Sequence, residues 1–263
     1  MKLKTVSICI VVLAVTLSAC AKGPAKSAAR MEGRPTEAAA RIATELRGFE
    51  EATSHIKALA SLSVDSEERN IRSDAAIVIE RPNRIRIDVI DSVADVWAQA
   101  GSDGDTLWLY VPGKKKLYEG RANAGNMSRL ASFYLEPEDM ISLVAGSPPI
   151  SNGEELTEAG TGRQRHFLFS QSGLRCWLDK REKGRVSRCE KPAEGGGIDY
   201  EISFADYRKV GDARFPYSID AKFPGRGAKL SIRYRDVESG GAADPASFMP
   251  PRVRGVSTHR YKR

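Results

Sequence analysis

Histidine, cysteine and long apolar runs are all scarce in this sequence, and each scarcity removes a class of function. The 263 residues hold 3 histidines, His55, His166 and His259, scattered without any metal-ligand spacing. The 4 cysteines contain no C-x-x-C pair, which argues against a dithiol redox centre. There is no G-x-S-x-G elbow and no P-loop. Ser54-His55-Ile56-Lys57 fits S-x-x-K, but a pattern that short arises readily by chance. The sequence therefore assigns no catalytic residue, no metal and no cofactor, and it points to a protein that is not an enzyme. It also lacks an internal repeat and a second apolar run long enough to span a bilayer.

The single apolar run is N-terminal. Lys2 and Lys4 precede Ile8, Ile10, Val11, Val12, Leu13 and Val15, which is the build of a secretory signal. The run closes on Leu17-Ser18-Ala19-Cys20, which matches the bacterial lipobox. That match implies cleavage after Ala19, a diacylglycerol on the Cys20 thiol and an acylated new amino end. One acyl chain holds a protein only marginally, at about 0.8 kcal/mol per buried CH₂, whereas two or three make a durable anchor. Ala21 follows the cysteine in place of an aspartate, which favours the outer membrane over retention in the inner one. Residues 1–19 are thus expected as the signal and 20–35 as a lipidated, flexible tether rich in Ala, Gly, Pro and Lys. Residues 36–245 are the expected folded domain, facing the periplasm.

Within that domain Ile42, Leu46, Phe49, Ile56 and Leu59 recur at helical spacing, so a helix is expected from an N-cap at Thr36 through Leu59. His55 then lies on its polar side. The period then becomes two. Strands are expected in "AAIVIE", "RIRIDVID", "DVWAQAG", "TLWLYVPG" and "KKLYEG", an antiparallel meander. Two helices, "NMSRLASFYL" and "EPEDMISLVAG", interrupt it, the second starting at Pro137 and stopping at Gly146. Strands resume with "RHFLFS", "LRCWLDK" and "GRVSRCEK", and three long ones follow. Cys176 and Cys189 bracket the turn near Lys183-Gly184 almost symmetrically. In an oxidising compartment that favours a disulfide over two buried thiols. One sheet face is apolar throughout. The fold class is α+β: a curved antiparallel sheet forming an unclosed β-barrel, with helices covering its apolar concave face.

The lipobox, "ERPNRIRIDV" (Glu80 to Val89), "DGDTLWLYVP", "RLASFYLEPEDMISLVAGSPP" and "FADYRKVGDARFPYSIDAKFPG" together resemble the LolA/LolB-type lipoprotein carriers and receptors over about residues 36–238. The resemblance implies an apolar cavity under a helical lid, holding acyl chains of lipoproteins or lipids bound for the outer membrane. It also implies a periplasmic lipoprotein carrier as delivering partner. Ile202, Phe204, Ile219, Phe223 and Ile232, on the apolar face of the last strands, are the candidates for lining that cavity. Val93, in "IDSVADV", matches the loop residue that places cargo in the membrane in LolB-like receptors; this sequence has Val where a bulkier residue is usual. The same alternation would arise if the helices simply filled the interior. An envelope scaffold that binds a protein partner is therefore the alternative.

The tail 246–263 carries Arg252, Arg254, Arg260, Lys262 and Arg263 and no acid. It reads as a solvated end, or as a membrane-surface attraction of about 1 kcal/mol per charge. Nucleic acid is not an expected partner of an exported lipoprotein, despite the formal net charge of +7.

Overall fold

The computed structural model describes residues 33–67, 70–91, 95–131, 134–150, 154–161, 166–179 and 184–261. The chain opens with α1 (Glu37–Ala52) and then lays down β1 (His55–Asp65), β2 (Asn70–Glu80), β3 (Arg84–Ile90), β4 (Val96–Ser102), β5 (Thr106–Val111) and β6 (Lys116–Arg121). Helices α2 (Ala124–Ala131) and α3 (Pro137–Val144) follow. The second half is β7 (Leu156–Ala159), β8 (His166–Phe169), β9 (Arg175–Asp179), β10 (Arg185–Pro192), β11 (Ile198–Val210), β12 (Ala213–Phe223), β13 (Ala228–Ser239) and β14 (Ser257–Arg260).

All these strands form one unclosed sheet, in the order β14-β6-β5-β4-β3-β2-β1-β13-β12-β11-β10-β9-β8-β7. Two meanders meet at its centre, where β1 pairs antiparallel with β13. Among the described residues every strand pairing is antiparallel except β14 with β6. Among the described residues the fold is α+β and mostly β, with three α-helices.

One sheet face is apolar because alternate residues of each strand turn the same way. Ile77 and Ile79 of β2, Ile202 and Phe204 of β11, Ile219 and Ala221 of β12, and Leu230 and Ile232 of β13 are buried on it. They join one cluster with Ile42 of α1 and Met140, Ile141, Leu143 and Val144 of α3.

The first helix is shorter than the spacing of its apolar residues predicts. It starts at Thr36, whose hydroxyl accepts from the Ala39 amide, and it ends at Ala52. The Thr53 amide and hydroxyl both donate to the Phe49 carbonyl. Ile56 and Leu59 therefore belong to β1, where Ile56, Ala58 and Ala60 turn inward and Leu59 is exposed. Two alanines at the inward positions mask the alternation, because alanine is a poor strand former. His55 is the first residue of β1, not a helix residue, and its Nε2 lies 3.8 Å from the Glu80 carboxylate. β7 and β14 are too short and too polar to stand out in the sequence.

The cysteines do pair. Cys176 and Cys189 are register partners on β9 and β10 and form a disulfide, with Cα atoms 4.1 Å apart. Both are buried. In the chain-entropy account, closing a loop of this size contributes about 3 kcal/mol by restricting the unfolded chain.

The start of the tail 246–263, expected as a solvated end, is instead held against the sheet face opposite the helices. Phe248 is fully buried, and its carbonyl accepts from Trp108 Nε1 at 2.7 Å. Arg86 donates to the Ser247 carbonyl at 3.1 Å and lies 6.0 Å from the centre of the Trp108 ring. Trp108, Tyr110 and Leu117 form a second small cluster, against which Val256 packs.

Candidate functional site

Among the described residues, the larger apolar cluster joins the helices to the sheet. α3 begins at Pro137, which needs no backbone donor at that position, and stops at Gly146. Gly146 has φ +78°, and a Cβ there would lie 2.8 Å from Pro216 Cδ, so only glycine lets the helix end so close to β12. The Tyr234 hydroxyl donates to the Val144 carbonyl and ties the helix to β13. Phe215 is the centre of an aromatic group, stacked against Phe49 of α1 at 6.2 Å and edge-on to Tyr234 at 5.0 Å.

Arg81, in the turn between β2 and β3, pins both helices. It donates to the Ser147 hydroxyl at 2.9 Å, the Ala145 carbonyl at 3.3 Å and the Ser142 hydroxyl at 3.4 Å, all at the end of α3. Its other partner is Glu50 of α1, at 4.0 Å. Burial pushes the guanidinium down to about 10 against the opposing pull of Glu50. The same burial raises the Glu50 carboxyl, opposed by Arg81. Arg81 Nε is buried without a hydrogen-bond partner. The pin is thus a charge whose desolvation is incompletely offset.

At the other end of α3 the first turn is crowded with acid. Burial raises the Asp139 carboxyl to about 6, with Glu136, Glu138 and Glu154 adding to the rise and Lys191 opposing it. Tyr200 of β11 shares the site, its phenol raised by burial and by Asp139. Because the folded value exceeds the ordinary one, the unfolded chain releases this proton first. The resulting loss of stability develops between about pH 4 and pH 6 and stays constant above. Asp139→Asn should therefore stabilise the domain relative to the parent at pH 7.5, by about 1 kcal/mol after solvent screening, and not at pH 4. Urea unfolding of both proteins at the two pH values checks this.

The sequence nominated five residues for an acyl pocket, and the structure brings all five together. Phe204 faces Ile219, and Ile219 faces Ile232, in adjacent register. Ile202, Phe204, Ile219, Phe223 and Ile232 are each at most 3% exposed. A cavity of about 40 Å³ lies between Ile42, Leu46 and Phe49 of α1 and Leu178, Val186 and Tyr207 of the sheet. None of the five nominated residues lines it. A site that takes one benzene ring is roughly 150 Å³. The sequence marked Ile42, Leu46 and Phe49 as a helix face but not as site residues. Only the packing of α1 on β9 to β11 joins them to Val186 and Tyr207. Cys20 and Val93 lie outside the described residues. Among the described residues, no helix is long and apolar enough to cross a membrane.

No family model and no curated protein matches this chain. Solved structures do. A DUF1329 family protein from Desulfovibrio piger superposes with TM-score 0.57 at 12% identity, covering 82% of this chain and 98% of its own. A putative outer membrane lipoprotein-sorting protein domain from Vibrio parahaemolyticus gives 0.56 at 15% identity, covering 81% and 96%. A LolA superfamily protein from Nitrosomonas europaea gives 0.53 at 9%, covering 80% and 97%. At these identities the likeness establishes the fold, and the fold is the LolA-like one.

Proposed function

We propose that this chain is an outer-membrane lipoprotein, anchored through Cys20 and facing the periplasm, that shields acyl chains of lipoproteins or lipids inside a half-barrel whose lid is α1 and α3. The observation that carries the reading is the character of the lid. It lies on a continuous apolar face, and Arg81 holds it through hydrogen bonds and one long ion pair. The LolA-like fold and the lipobox agree with it.

The energies of lid and cargo are close to balanced. Ile42, Leu46 and Phe49 are the large apolar anchors of α1. At about 2 kcal/mol each when fully buried, uncovering them costs roughly 6 kcal/mol at most, and Met140, Ile141, Leu143 and Val144 of α3 add roughly 8 kcal/mol. An acyl chain of about 16 carbons leaving water gains on the order of 12 kcal/mol at about 0.8 kcal/mol per CH₂. The cavity of about 40 Å³ is then the closed state. Ile202, Phe204, Ile219, Phe223 and Ile232 become pocket walls once the helices move. In this reading a periplasmic carrier delivers the cargo, and Val93 sits at the membrane.

The small size of the cavity under α1 favours a second reading, an envelope scaffold that binds a protein partner and never opens. Native mass spectrometry separates the two. The mature domain, purified without detergent and mixed with a diacylated lipopeptide, should gain one lipopeptide mass. Amide exchange in α1 and α3 should speed up in the loaded form while β11 to β13 stay protected. A domain that takes up neither lipopeptide nor free lipid, with unchanged exchange, leaves the scaffold reading in place.

A further inference from the structure

The strap between Phe248 and β14 is held at both ends and open in the middle. Phe248 is buried and its carbonyl accepts from Trp108, while Val256 packs on the cluster of Trp108, Tyr110 and Leu117. The Ser257 amide then donates to the Lys115 carbonyl at 2.9 Å, which sets the strap beside the turn between β5 and β6. Between these fixed points runs Met249-Pro250-Pro251-Arg252-Val253-Arg254-Gly255. The two prolines restrict the stretch, and Gly255, at φ +75°, turns it into β14. Arg252, Val253 and Arg254 are exposed, as are Lys114 and Lys115 on the adjoining turn.

Four cations and one apolar side chain therefore share a corner of the sheet. Among the described residues none of the four pairs with an acid, whereas Arg260, further along β14, lies 3.7 Å from Glu119. Residues 112–118 and 249–261 contain no acid. The acids of the neighbouring turn, between β3 and β4, are Asp91 and Asp95, and the Asp91 carboxylate accepts from the Asp95 amide at 3.0 Å. The strap is fixed by Ser247, Phe248 and Val256, so its arginines take no part in holding it. Val253, between them, is 47% exposed.

We propose that this corner is a second membrane contact, which docks on the phosphate groups of an anionic phospholipid bilayer. An apolar side chain flanked by cations suits the boundary between headgroups and acyl chains: the guanidiniums meet phosphate while Val253 leaves water. A strap already held in place loses little freedom on docking. The location rests on the anchor at Cys20 proposed above. The contact itself does not depend on what the half-barrel holds.

Residues 21–263 without acyl groups keep the compact unit 31–263 and give the test, by sedimentation with vesicles. The parent should bind vesicles of mixed phosphatidylcholine and phosphatidylglycerol, not of phosphatidylcholine alone, and should release them as salt is raised. Arg252→Ala with Arg254→Ala should weaken binding about twentyfold, at about fivefold per charge. Lys114→Gln with Lys115→Asn should do the same, asparagine tolerating the left-handed backbone of position 115, where φ is +48°. Val253→Asp should weaken it by about fivefold or more. Lys57→Ala with Lys209→Ala removes two exposed cations at the opposite end of the sheet and should change binding less than about twofold. These surface variants should melt with the parent. No binding of the parent to the mixed vesicles, or equal losses from the control pair and the corner pairs, overturns the proposal. Lipopeptide uptake should be the same in all of them, so failure here is distinct from failure of the half-barrel reading.

Discussion

Ile219→Asp should leave no folded domain. Ile219 is fully buried on β12, between Phe204 of β11 and Ile232 of β13. The substitution removes a fully buried side chain, a loss of about 3 kcal/mol, and leaves a carboxyl group with no partner on an apolar face. An unpaired buried charge adds several kcal/mol more. The sum takes up most or all of the 5 to 15 kcal/mol that holds a typical domain of this kind together. Circular dichroism should therefore show no cooperative melt, whereas Ile219→Val should cost only about 1 kcal/mol. A roomy, hydrated cavity would give the opposite result: Ile219→Asp would melt near the parent and lose only its affinity for a fluorescent acyl probe. A normal melt with parental probe binding would remove Ile219 from any pocket.

Phe248→Ala should produce the second large effect, in a segment whose sequence reads as an end. Phe248 is fully buried, and large-to-small changes at such aromatic sites cost about 3 to 5 kcal/mol. The loss should spread, because Phe248 and Arg86 together fix the strap that leads to β14. Trp108 would then meet water, and its fluorescence should shift to the red. Amide exchange along β14 should accelerate along with it. Arg254→Ala, in the same segment but exposed, should change stability by less than about 0.5 kcal/mol. Equal, small effects from both variants would show that the strap contributes little.

Much of this architecture was legible because its causes are local. Alternation of apolar and polar residues reports strands, since successive side chains leave opposite faces. Thr36, Pro137 and Gly146 mark helix ends through hydrogen-bonding and dihedral limits of single residues. Cys176 and Cys189 announce their pairing because a hairpin places positions symmetric about its turn opposite one another. The same logic joined Ile202, Phe204, Ile219, Phe223 and Ile232 on one face.

What the chain alone left undecided depends on contacts distant in sequence. Helical spacing carried Ile56 and Leu59 into α1, yet pairing of β1 with both β2 and β13 drew that stretch into the sheet. Propensity differences of a few tenths of a kcal/mol per residue yield to two ladders of hydrogen bonds and a buried face. Phe248 is a core residue because Trp108, 140 residues earlier, receives it. Arg81 is a pin because Glu50 and the end of α3 converge on it from opposite directions in the sequence. The sequence by itself determined which side of each strand is apolar. Only the tertiary structure decided what covers that side, since periodicity fixes where a side chain points and packing fixes what it meets.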